Sequence, residues 1–310
     1  MTGPMYFILV PFLLVIYVPD DYHRWENGPE YTFNVTINTV KNLTTDEDEP
    51  KGSSMNAMLK CQPKEPDRLQ CHFEDAKIAI PSEVAITSKN VEFDMGNVTF
   101  EIKFKETGIE FFEFENGEKQ ATDDITDLYR LVANHLNVWA KTTLAGKAPA
   151  TTYKSQDVKM TENFTIGECR AETKISHQEQ GNQTFRSGVW IDWYNKNLKS
   201  NPVIEVTKEV HLNSCLAQPV YRLVTKHMYV FHRETNDTLK NSTAHIFISF
   251  SNFTSESVNT LEVYDADNGE KLGTSFDQIR LSLASIDPAK SPLKKMTNTT
   301  ILGPSLTPKS

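Results

Sequence analysis

Residues 30–40 alternate without a break: Tyr31, Phe33, Val35 and Ile37 share one parity, Thr32, Asn34, Thr36 and Asn38 the other. Successive side chains of a strand point to opposite faces, so only an extended backbone with one covered face satisfies such a run. Residues 98–105 repeat it, with Val98, Phe100, Ile102 and Phe104 inward and Thr99, Glu101, Lys103 and Lys105 outward. Residues 109–115 follow, and the two runs read as antiparallel neighbours joined near Gly108 and closed by a turn at Asn116-Gly117. Further strands are expected over 165–175, 188–194, 204–212, 220–232, 244–250, 260–265 and 279–286, the last two joined by a turn at Asp267-Asn268-Gly269.

The period changes once. Between residues 123 and 139, Ile125, Leu128, Val132, Leu136 and Trp139 recur at helical spacing, which gives one apolar stripe. Thr122 stands at the capping position, and Asp123 and Asp124 suit the positive end of the helix dipole. The expected fold is mainly β with one main helix: a barrel-like antiparallel sheet wrapped around an amphipathic helix. Residues 42–54 and 145–157 read as loops, and 288–310, rich in Pro, Ser, Thr and Lys, as a disordered tail.

The first residues point to export. Residues 5–18 (MYFILVPFLLVIYV) are apolar throughout, too short for a membrane span but suited to the core of a secretory signal, so residues 1–19 are expected to be a signal peptide and 20–287 the folded domain. No Lys or Arg precedes the run and no small residues mark a cleavage site before Pro19, which leaves an uncleaved anchor as the alternative. Nine Asn-x-Ser/Thr sequons, at Asn34, Asn42, Asn97, Asn163, Asn182, Asn236, Asn241, Asn252 and Asn298, agree with a secreted, glycosylated extracellular protein. Cys61, Cys71, Cys169 and Cys215 then have an oxidising compartment in which three pairings are open. The pairing expected is Cys61 with Cys71, stapling neighbouring strands, and Cys169 with Cys215, closing a longer loop.

Enzyme signatures are absent: no nucleophile elbow, zincin motif, phosphate-binding loop or dinucleotide fingerprint occurs. His227 and His232 sit an odd number of residues apart and would face opposite sides of a strand, while a zinc site built on His72 lacks paired Cys-x-x-Cys knuckles. The acidic pairs Asp123/Asp124 and Asp46/Asp48 belong to a helix start and a solvated loop. Neither a catalytic residue, nor a cofactor, nor a metal is expected. The net charge of −9 argues against nucleic acid as a partner.

An ordered set of segments resembles the N-terminal domain of vitellogenins, in the large lipid transfer protein family. Trp25 with Gly28-Pro29-Glu30-Tyr31-Thr32-Phe33 looks like that domain's opening, and Asp124-Ile125-Thr126-Asp127-Leu128-Tyr129-Arg130 like its helix. Gly167-Glu168-Cys169 and Leu212-Asn213-Ser214-Cys215 match its Gly-x-Cys and Leu-Asn-x-Cys, whose cysteines are disulfide partners in that family. Leu261-Glu262-Val263-Tyr264-Asp265, then Ile279-Arg280-Leu281, resembles its closing strands. The resemblance, covering residues 25–287, implies a β-barrel-like sheet around a helix in a standalone or truncated form. It also implies a contact to a lipoprotein-receptor-type partner in which Lys208 is the retained basic residue, Val210 standing where the family has a second lysine. With the later lipid-cavity segments of such proteins absent from these 310 residues, the expectation is a yolk-protein-like secreted glycoprotein acting through protein or receptor binding. At most a single lipid is bound. The alternative is a repurposed binding module, a decoy or lipoprotein regulator, without lipid transport. Oligomeric state is left open.

Overall fold

The computed structural model describes residues 16–18, 26–43, 51–64, 67–82, 85–92, 98–105, 108–116, 123–137, 155–164, 167–180, 189–191, 201–215, 235–249 and 252–304. Among these residues fifteen strands run in chain order: β1 (Ile16–Val18), β2 (Pro29–Leu43), β3 (Lys51–Lys64), β4 (Arg68–Ser82), β5 (Ala85–Glu92), β6 (Phe100–Lys105), β7 (Gly108–Glu115), β8 (Ser155–Phe164), β9 (Gly167–Gln180), β10 (Val189–Ile191), β11 (Asn201–His211), β12 (Thr235–Ile248), β13 (Phe253–Asp265), β14 (Lys271–Pro288) and β15 (Thr299–Leu302). The one α-helix among the described residues, α1 (Asp123–Ala133), continues into a 3-10 turn, Asn134–Leu136.

Thirteen strands form one antiparallel sheet in the order β15-β7-β6-β4-β3-β2-β14-β13-β12-β11-β9-β8, with β5 also paired to β4. Among the described residues its ends, β15 and β8, do not pair, so the sheet is curved but open. Parity drives the curvature. Tyr31, Phe33, Val35 and Ile37 of β2 stand opposite Cys61, Leu59, Ala57 and Met55 of β3, and all eight are buried on the inner face. Apart from Glu30 and Val40, the outer parity of β2 is Asn and Thr.

The helix fills what the sheet wraps. The Tyr129 ring lies 4.6 Å from Phe73 and 5.2 Å from Phe100, on one arm of the sheet. A few residues later His135 reaches Ser255 on β13, in the other arm. The plug is broader than a stripe, because residues 128–133 are all buried. Asn137, just past the 3-10 turn, accepts the Ile109 N–H at 3.0 Å. This fixes Gly108, whose φ is +112° and where a Cβ would sit 2.1 Å from the Asn137 Oδ1.

Two expectations need correction. Residues 289–304 are not a tail without structure. β15 pairs with β7, and Gln70 exchanges two hydrogen bonds with the Lys294 backbone, because β7 would otherwise present a row of unpaired backbone groups. The loops expected at 42–54 and 145–157 are shorter, since β3 begins at Lys51 and β8 at Ser155. In the segment expected as a signal, β1 pairs with β10 in a separate two-stranded sheet. Trp25, Thr122, Trp139, residues 220–232 with His227 and His232, Asp46 and Asp48 lie outside the described residues.

Candidate functional site

The inner face of β8, β11, β12 and β13, where the end of α1 passes over it, carries a cluster of buried polar side chains. On β11, Val206 and Val210 point inward, and Lys208 between them must do the same. The Lys208 side chain is therefore buried, at 6% exposure, and its Nζ donates to Glu162 Oε2 of β8 at 2.7 Å. It also reaches the Asn137 carbonyl at 3.5 Å. Glu162 is as deep, at 4% exposure, and its Oε1 has no hydrogen-bond partner.

His135 completes the cluster. Its Nδ1 lies 3.1 Å from the Ser255 hydroxyl and its Nε2 3.1 Å from that of Ser257. Burial holds the imidazole pKa down at about 4, against a smaller opposing hydrogen bond with Ser255. It is neutral at physiological pH and serves as a hydrogen-bonding hinge between helix and sheet. These groups border a cavity of about 90 Å³, with Leu131, Phe164 and Leu239 on its apolar side. Ligand pockets for small molecules run to about 300–1,000 Å³, so this space suits a few waters rather than an acyl chain.

The placement of Lys208 overturns its expected role as the basic residue offered to a receptor. Its charge is spent on a carboxylate inside the sheet, and a buried, paired ammonium cannot approach another protein's surface. Sequence reasoning also missed Glu162, His135 and Ser255. The signal available was parity: Glu162 is in phase with Val158 and Phe164 on β8, ahead of the strand expected from residue 165.

Cys61 is bonded to Cys71, directly opposite across β3 and β4, and Cys169 of β9 to Cys215, just past a 3-10 turn that follows β11. With both pairs oxidised, no thiolate stands beside His72, which contacts Glu74 instead. No group of three or more potential metal ligands occurs among the described residues. Of the sequon asparagines, Asn34, Asn42, Asn241, Asn252 and Asn298 are exposed. Asn163 and Asn236 lie on β8 and β12, while Asn97 and Asn182 fall outside the described residues. On the outer face beside Cys169–Cys215, an open depression of about 580 Å³ is lined by Lys159, Arg170, Glu172 and His211. Lys159 pairs with Glu172 at 2.5 Å and His211 approaches it at 3.5 Å, so the surface carries mixed charge.

Residues 25–287 match the family model described as the vitellogenin N-terminal domain. Among solved structures, the chain is similar to one described as lipid-protein interactions in lipovitellin, with a TM-score of 0.50 and 14% sequence identity. That similarity covers 88% of this chain and 27% of that one. No curated protein matches the sequence. The match over so much of the chain, on a sheet of this order with the helix inside it, decides the family: the chain belongs to the vitellogenin N-terminal domain family.

Proposed function

We propose that this chain is an exported, N-glycosylated, non-catalytic member of the lipid-transport family that acts through its outer surface, by contact with a receptor or a lipoprotein. The filled interior is the observation that carries the reading. Helix α1 and the inner parities of the sheet close on each other around Tyr129, and about 90 Å³ remains in the site. An acyl chain has no room there without expelling the helix. Lipid contact in this part of the molecule is therefore limited to a single molecule at most, held at the surface. The five exposed sequons support export, since each sits where a glycan meets water.

A module without lipid transport, a decoy or a regulator of lipoproteins, is the second reading, and the internal use of Lys208 favours it. Native mass spectrometry of the chain secreted from eukaryotic cells, with organic extraction of the same sample, tests the proposal. The expected result is a glycosylated protein with no more than one lipid per chain, which co-purifies with lipoprotein particles or a membrane receptor. Several lipids per chain would refute it, and lipid-free protein without either partner would leave the decoy reading.

A further inference from the structure

Four large apolar side chains are exposed among the described residues: Val40 at 41%, Val258 at 38%, Phe276 at 46% and Ile301 at 61%. Three of them meet at one place on the outer face. Phe276 of β14 stands directly opposite Val40 of β2 on one side and Thr260 of β13 on the other. Val258 lies two residues from Thr260 along β13, diagonal to Phe276. The surrounding outer positions are polar: Asn38, Gln278, Thr274, Glu256 and Glu262.

A sequon asparagine borders this stripe. Asn42 is exposed, shares the outer parity with Val40, and stands opposite Thr274. Two residues along a strand are about 7 Å apart and diagonal cross-strand neighbours about 7–8 Å, so Asn42 is next to Val40 and diagonal to Phe276. Beyond Thr274 in the same row is Glu262, which binds Lys240 and Lys271 at 2.7 and 2.6 Å. An N-linked sugar has a flat C–H face on each ring and a rim of hydroxyls. The place beside Asn42 offers both matches, an apolar floor at Val40 and Phe276 and a charged, hydrogen-bonding margin at Glu262.

We propose that the Val40–Phe276–Val258 stripe is the seat of the N-linked glycan carried by Asn42. The first sugars pack their C–H faces on the Phe276 ring and Val40, which removes from water the one cluster of exposed apolar side chains on the described outer surface. The glycan is thereby held against the sheet and shields β2 and β14. The inference rests on the export reading above, since the sugar is added only in the secretory route.

The test uses the full chain secreted from eukaryotic cells, as wild type, Asn42→Gln, Phe276→Ser and the double variant. Asn34→Gln is the control, because Asn34 is exposed on the same strand as Val40 but six residues from it, opposite Ser282. Glycopeptide mass spectrometry is expected to find Asn42 occupied. Asn42→Gln is expected to lower the melting midpoint by about 2–4 °C in the wild-type background and by less than about 1 °C beside Phe276→Ser, whereas Asn34→Gln shifts both backgrounds equally. Bare Asn42 beside a loaded Asn34 overturns the seat alone, as does strict additivity of the two substitutions. A dimer on size exclusion that Phe276→Ser dissolves also overturns it, because a second copy then covers the stripe. A chain retained in the cell with every sequon bare overturns the export reading and the seat together.

Discussion

Replacing Lys208 by Met distinguishes a surface lysine from the internal one described here. The substitution keeps the length and the apolar stem and removes only the ammonium, which lies 2.7 Å from Glu162 Oε2. Glu162 is 4% exposed and its other oxygen is already without a partner, so the carboxylate is left with no compensating charge. Breaking a buried pair from one side costs about 3–5 kcal/mol, chiefly from the charge left behind. In a domain of this size that corresponds to about 6–20 °C in melting midpoint. The same principle gives the control: Glu162→Leu combined with Lys208→Met removes both charges and is expected to recover to within about 1 kcal/mol of wild type, or exceed it. Urea unfolding followed by far-UV circular dichroism at neutral pH reads all three proteins. A single variant within about 0.5 kcal/mol of wild type, as for an ordinary surface substitution, would refute the internal pair and return Lys208 to the solvent.

His135 makes stability depend on acid. Its folded pKa of about 4 lies below the ordinary 6.5, so the unfolded chain binds the proton more readily; the stabilisation is complete above about pH 6.5 and is lost as pH falls towards 4. The gap between the two values corresponds to about 3 kcal/mol, and urea melts of wild type and His135→Gln across that window are expected to converge by this amount as the pH drops. A constant difference would refute the buried neutral imidazole. For the disulfides, chain entropy scales with the loop closed: separations of 46 and 10 residues give about 4 and about 3 kcal/mol. Alanine pairs at Cys169/Cys215 and at Cys61/Cys71 are expected to rank in that order by thermal melting, and the reverse order would show that the longer loop is already restrained in the unfolded chain.

Strands with an unbroken apolar run on the inner parity were legible in advance. The run of Tyr31, Phe33, Val35 and Ile37 became the inner face of β2, and that of Phe100, Ile102 and Phe104 the inner face of β6. β4 was not legible, for a physical reason: Leu69, Cys71 and Phe73 are buried, and then the phase jumps to Ala76 and Ile78. A bulge at Asp75, with φ of +52°, absorbs the extra residue and slips the register against β3, so a strict two-residue period cannot follow the strand through. The helix was legible as a stripe at Ile125, Leu128, Val132 and Leu136. Its end was not, because α1 stops at Ala133 and the chain tightens into a 3-10 turn that delivers His135 to Ser255 and Asn137 to Ile109.

The site was the least legible part. Lys208 and Glu162 occupy inward positions in β11 and β8, and each looks misplaced until the other is beside it. They are 46 residues apart and meet only because β9 lies between their strands and the inner faces of β8 and β11 converge.

Parity, the one change of period and the sequon and cysteine positions were set by the sequence itself, because each depends on residues close along the chain. Folding in three dimensions decided which charges went inside and what covered the edge of β7. A charge is tolerated in the interior only when its counter-charge arrives from elsewhere in the fold, and an unpaired strand edge acquires a partner only from a segment that the topology brings alongside.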